Sequence, residues 1–179
     1  MKFATPTRRE IGISTVFNIL GPLTNPAHAQ FQLLGVFHEE LTNIMAQVLK
    51  NLKIKRALVV HGADGLDEIT ITASTKITEL KNKKIRTYKI SPKDFGLKRA
   101  KLSEIMGGTK EENAKIGLAI LNGEEKGAKR DIILMNAAAV IYVSGLAKNL
   151  KQGFTLAQRS LDSGTALNKL QELINFSNQ

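Results

Sequence analysis

Apolar and polar positions follow two different periods along the chain. A short apolar run from Phe31 to Phe37 predicts a buried strand. Between Glu39 and Leu52 the apolar residues fall at Leu41, Ile44, Met45, Val48, Leu49 and Leu52, the spacing of one helix face. Arg56 to His61 then holds Ala57-Leu58-Val59-Val60 between polar ends, a second strand. Strand, helix and strand at this spacing predict a parallel βαβ unit with a right-handed crossover. Three more strands are predicted over Glu68–Thr72, Lys76–Leu80 and Ile85–Ile90, where alternation and β-branched residues suit a meander.

Upstream, a helix is expected from Arg8 to Leu20, ended by Gly21-Pro22, because glycine can terminate a helix and proline cannot continue it. Leu23-Thr24-Asn25-Pro26 reads as a turn. Beyond Leu102 the period becomes helical. Thr109 and Glu112 form a capping-box signature for a helix reaching Leu121. A buried helix is expected over Arg130–Ser144, and two more over Thr155–Ser163 and Thr165–Asn175. The first of these two has an apolar face at Leu156, Ala157 and Leu161, and Gly145, Gly153 and Gly164 punctuate the region. The pattern is that of one mixed α/β unit with a helical C-terminal region.

Composition narrows the function. A length of 179 residues suits one globular domain with a sizeable core. The absence of cysteine removes disulfides, thiolate zinc sites and a cysteine nucleophile. No apolar run nears the roughly 20 residues needed to cross a bilayer. The longest, Ile132 to Val143, is broken by Asn136 and reads as a buried helix. With no signal-peptide pattern at the N-terminus, a soluble, cytoplasmic protein without membrane contact is expected. The net charge of +10 fits either a lysine-rich surface or an anionic partner, nucleic acid or a phosphate-rich small molecule. Lys81, Lys83, Lys84 and Arg86 form a modest cluster. Aromatic residues, at 5%, are too few for a base-stacking platform.

Two segments hold candidate chemistry. Arg8 and Arg9 sit near a predicted helix start, where the dipole disfavours cations. They can pair with an acid such as Glu10, or offer a planar fork to a carboxylate ligand. Asp67 and Glu68 follow a glycine-containing loop at the end of a predicted strand. They can form an ordinary acidic turn, or give hard oxygen ligands to magnesium where α/β sheets place their sites. Other signals carry less. Asp94-Phe95-Gly96 lacks the loops that accompany a kinase metal motif. Gly107-Gly108 reads as a tight turn rather than a phosphate loop. His28, His38 and His61 have no metal-ligand spacing, and His61 is expected to be structural.

The run Arg8-Arg9-Glu10-Ile11-Gly12-Ile13-Ser14-Thr15 leads into Phe17-Asn18-Ile19-Leu20-Gly21-Pro22-Leu23-Thr24-Asn25-Pro26. It resembles the anthranilate phosphoribosyltransferase family, whose R-R-E-L-G-I-R-T segment continues into F-N-x-L-G-P-L-x-N-P. Gln32-Leu33-Leu34-Gly35-Val36, His61-Gly62, Gly65-Leu66-Asp67-Glu68, Asn136-Ala137-Ala138-Ala139 and Asp162-Ser163-Gly164 extend the resemblance over essentially the whole chain. It implies a transferase of tryptophan biosynthesis that uses Mg2+, joins anthranilate to the ribose carbon of phosphoribosyl pyrophosphate and releases pyrophosphate. By that resemblance Arg8 contacts the anthranilate carboxylate, Pro22 lies against the aromatic ring, and Asp67 and Glu68 bind magnesium. No covalent or acid/base catalytic residue is implied.

Two departures qualify what the resemblance implies. Ser14 stands where the family has arginine. The G-T-G-G-D loop that cradles pyrophosphate and the K-H-G-N segment near both substrates occur nowhere in the 179 residues. The expectation is therefore the C-terminal part of a larger α/β domain, with a mixed, partly parallel sheet flanked by helices. Residues 1–26 would link to a small helical domain, and residues 27–179 would belong to the large catalytic domain. Alone, this part is expected to be inactive and to pair or aggregate through uncovered apolar surface. A separate N-terminal half and a family homodimer are the partners implied. The alternative, motivated by the charge, is a non-catalytic interaction or nucleic-acid-binding protein on the same scaffold.

Overall fold

The computed structural model describes residues 20–178. Arg8, Ser14 and all but the last residue of the helix expected over 8–20 lie outside them. Strand β1 (Phe31–Gly35) leads through helix α1 (Leu41–Asn51) to strand β2 (Arg56–Gly62). β1 and β2 pair in parallel, Phe31 beside Arg56 and Gly35 beside Val60, so the predicted βαβ unit is present. Strands β3 (Thr75–Lys81) and β4 (Lys84–Ile90) continue the sheet antiparallel, in the order β1-β2-β3-β4. The expectation of a mixed, partly parallel sheet flanked by helices holds.

Alternation along the strands splits the core into two layers, because successive side chains face opposite sides of a sheet. Leu58, Val60 and Ile77 point to a large cluster with helix α3 (Ala128–Val143) and helix α4 (Leu150–Asp162). Ala57, Val59, Leu34 and Leu80 point the other way, onto Met45, Ala46 and Leu49 of α1. The buried stripe of α1 is narrower than its apolar spacing suggested: Ile44 and Leu52 are exposed, and Thr42 and Ala46 take the inward places. Helix α2 (Lys110–Leu121) opens as the capping box required, with Thr109 Oγ1 accepting from Glu112 N and Glu112 accepting from Thr109 N. Helix α5 (Thr165–Ser177) is the last element among the described residues.

Three expectations are corrected. Residues 68–72 are not a strand: they run as an irregular segment between β2 and β3. Ile69, Thr70 and Ile71 are all buried, and no ladder serves them: Asn136 and Thr75 side chains accept from Ile69 N and Thr70 N, and Ile71 O accepts from Ala100 N at 3.1 Å. α4 begins at Leu150, five residues before the predicted start, because Asn149 caps it by accepting from Gln152 N at 2.8 Å. Gly153 then lies inside α4 instead of ending an element. A Cβ there would overlap the Ala138 carbonyl, so glycine permits close contact between α3 and α4.

Candidate active site

At the end of β2 the chain turns sharply through Ala63-Asp64-Gly65-Leu66 before it reaches Asp67 and Glu68. Gly65 N donates to Gly62 O at 2.9 Å, and Gly62 N donates to Leu66 O at 2.8 Å. Gly65 takes a φ of +95°, where glycine avoids the steric cost of a side chain. Asp64 locks the turn. It accepts from Leu66 N at 3.2 Å, from Thr70 Oγ1 at 2.5 Å and from the Thr72 hydroxyl. Burial pushes the Asp64 carboxyl up, but these hydrogen bonds outweigh it and hold its pKa below the usual carboxylate range. Asp64 is thus a structural acid, committed to its own loop.

Asp67 and Glu68 have different surroundings. Asp67 is exposed, and its backbone carbonyl lies against Gly35 at the end of β1, where any Cβ would overlap it. Glu68 is half-buried and receives Asn136 Nδ2 from α3 at 3.3 Å. Asn136 also accepts from Ile69 N at 3.0 Å and donates to Ile69 O at 2.8 Å, so one side chain replaces a missing strand partner. Burial, and then the negative charges of Asp67 and Asp64, push the Glu68 pKa upward. Among the described residues no lysine or arginine pairs with Asp64, Asp67 or Glu68. An electron-rich corner without a protein cation suits a divalent metal ion. It does not cage one, since among the described residues no three acidic or histidine side chains gather around a common point. Magnesium commonly takes only one or two carboxylates and completes its shell with water and substrate phosphates, so the residues fit that ion.

His61 is structural, as expected: its Nδ1 lies 2.8 Å from Val36 O and ties β2 to the end of β1. Asp94 accepts from Ser91 N at 2.6 Å inside a short 3-10 turn, and Gly108 N donates to Asn113 Oδ1 at 2.9 Å. Both motifs that were set aside are local turns. Pro22 lies in a 3-10 turn, Gly21–Leu23, and its carbonyl accepts from Gln32 Nε2 at 2.9 Å. It lines a hollow of about 150 Å³ with Leu49 and Ile54, which contains neither Asp67 nor Glu68. The two sequence-derived sites attach to one strand, at Gln32 and Gly35, but these positions face opposite sides of the sheet, and Pro22 and the acidic pair share no hollow among the described residues. Arg8 lies outside the described residues. Asn136 is the site residue to which sequence reasoning gave no role; its signals were a polar residue inside an apolar helix and its place in the Asn136-Ala137-Ala138-Ala139 run of the resemblance.

Residues 1–167 match the family described as glycosyl transferase family, a/b domain. The chain is 51% identical over 178 residues to the anthranilate phosphoribosyltransferase of Acetivibrio thermocellus, covering 99% of this chain and 51% of that protein. It is likewise 51% identical to the enzyme of that name from Alkaliphilus metalliredigens, over 100% of this chain and 52% of the relative. The crystal structure of anthranilate phosphoribosyltransferase from Thermus thermophilus superposes with a TM-score of 0.93 at 41% identity, over 100% of this chain and 53% of that one. The Saccharomyces cerevisiae enzyme, in complex with PRPP and Mg, gives 0.88 at 31% identity, over 98% and 50%. The chain spans about half the length of the curated relatives it matches. The resemblance drawn from the motifs is borne out across the chain.

Proposed function

This chain belongs to the glycosyl transferase family through its a/b domain, and from that premise we propose that it forms the C-terminal half of a magnesium-dependent anthranilate phosphoribosyltransferase. The observation that carries the reading is the unneutralised carboxylate corner at the end of β2, set in a chain about half identical throughout to enzymes of that name. Asp67 and Glu68 hold the metal, and Asn136 keeps Glu68 in place. When bound, magnesium offsets the negative charge that collects on departing pyrophosphate. Arg8 grips the anthranilate carboxylate as a planar fork, and Pro22 bounds the aromatic ring. With the weak amine nucleophile held in line with the ribose carbon, positioning supplies a large share of the rate.

In this reading residues 1–26 join a small helical domain, residues 27–179 belong to the large catalytic domain, and the complete enzyme is a homodimer. The 179-residue unit, which contains no G-T-G-G-D or K-H-G-N segment, does not turn over alone. Loss of anthranilate fluorescence in the presence of phosphoribosyl pyrophosphate and Mg2+ tests this. No turnover is expected from the unit alone, and turnover is expected once a chain carrying the two missing segments is added. Steady turnover by the unit alone contradicts the inactive part. An addition that restores activity equally to wild type and to D67A/E68A removes the metal assignment.

A further inference from the structure

Among the described residues four non-glycine positions have a positive φ, and three of them line one cleft: Lys53 at +62°, Asn82 at +52° and Lys83 at +62°. The cleft, of about 690 Å³, lies between the α1–β2 connection and the β3–β4 hairpin. Lys53 follows the last turn of α1, where glycine is the usual residue. Asn82-Lys83 is a two-residue hairpin turn with both φ values positive, where Asn-Gly is preferred. Lysine is therefore strained at two places that glycine would occupy freely.

The same lysines carry a second cost. Lys50, Lys53, Lys55 and Lys83 line the cleft, and no carboxylate does; Arg56 also borders it, but its guanidinium lies over the Tyr142 ring at 4.9 Å. None of the four lysines is ion-paired among the described residues. Lys50 in the last turn of α1 is favoured by the helix dipole, but that accounts for one cation and not for four in one concavity. Phe31, Ile54 and Leu80 supply an apolar wall, with Phe31 42% exposed. Phe31, Arg56, Lys81 and Lys84 share one row of the strand register, at the opposite end of the sheet from Gly62. Seven residues of β2 therefore separate the cleft from the acidic loop, about 20 Å. The cleft is a different place from the proposed active site, and its reading stands apart from that proposal.

We propose that this cleft binds a small organic polyphosphate, a nucleoside di- or triphosphate, with its phosphates on the lysine rim and its ring against Phe31. Its volume lies in the range of small-molecule sites. Lysines standing at positive φ give up backbone ease and place charge where several phosphate oxygens can meet it. A nucleic acid is disfavoured, because the cleft presents a single exposed aromatic and so offers no track for successive bases.

Calorimetric titration of the 179-residue chain with ATP, AMP, tripolyphosphate and a short DNA duplex, at one fixed ionic strength, tests the proposal. One-site ATP binding is expected, about tenfold tighter than AMP, which carries less charge, and than tripolyphosphate, which lacks the ring. The variant K53G/K83G is expected to lose about tenfold in ATP affinity while its Tm holds or rises, since glycine relieves the strain. Absence of saturable ATP binding, or equal binding by K53G/K83G, overturns the proposal. So does tripolyphosphate matching ATP, or a duplex binding more tightly than either. A fall in the Tm of K53G/K83G would make the lysines structural and overturn it as well.

Discussion

Asn136 in the middle of α3 holds the backbone of Ile69 from both sides, accepting from its N–H at 3.0 Å and donating to its carbonyl at 2.8 Å. The two residues lie 67 positions apart in sequence. This contact closes the segment that carries the acidic pair onto the helical layer, and the same amide reaches Glu68. Ile69 is fully buried, so its backbone groups depend on this amide for their partners.

Asn136→Ala should therefore cost about 2–3 kcal/mol, the penalty of leaving a buried backbone donor and acceptor unpaired. Urea unfolding checks the loss. A change under half a kilocalorie would mean that the loop is held elsewhere.

Glu68 and Asp64 should respond oppositely to pH. The Glu68 pKa is raised by folding, so its contribution is unfavourable once pH exceeds the unfolded value, and E68Q should be more stable than wild type near neutrality. That gain should vanish as pH falls below the ordinary glutamate range, where both states are protonated. The Asp64 pKa is lowered, so its stabilisation is present above its unfolded value and lost as pH falls through the folded one. D64N should be less stable than wild type near neutrality, by a margin that solvent screening of the exposed carboxylate keeps small. Thermal melts across pH measure both signs.

Magnesium supplies a readout that needs no substrate. Millimolar Mg2+ should raise the Tm of wild type and leave that of D67N/E68Q unmoved, because a ligand bound only by the native state stabilises it by mass action. Equal shifts in both proteins would place the ion elsewhere.

Gly35→Ala should disturb the acidic corner from the far side. A Cβ at this position overlaps the Asp67 carbonyl, which is backbone and cannot swing away like a flexible side chain. The cost should be about 1–3 kcal/mol, with a smaller Mg2+-induced rise in Tm than wild type. A crystal structure of the variant would show Asp67 displaced.

Tyr142→Phe tests the buried acid of the sheet. Glu79 is 2% exposed, accepts from Tyr142 Oη at 2.6 Å and pairs with Arg86 Nε at 2.9 Å. Losing the hydroxyl leaves a buried carboxylate oxygen short of a donor and should cost about 1–3 kcal/mol in chemical denaturation.

The sequence by itself determined the βαβ unit, the capped helix from Lys110, the helical C-terminal region and, through its motifs, the family. Each rests on a local signal: a period, a cap spanning Thr109 to Glu112, or an ordered run of residues. The tertiary structure alone decided that residues 68–72 are not a strand, that Gly153 sits within a helix against Ala138, and which acid serves the fold. From sequence, Asp64, Asp67 and Glu68 are three carboxylates around one turn; in the structure, Thr70 and Thr72 engage the first, Gly35 sits against the backbone of the second, and Asn136 holds the third. Alternation states that a residue is to be buried but not what will satisfy its backbone. For Ile69 that partner lies 67 residues away on another layer, and no local pattern encodes it.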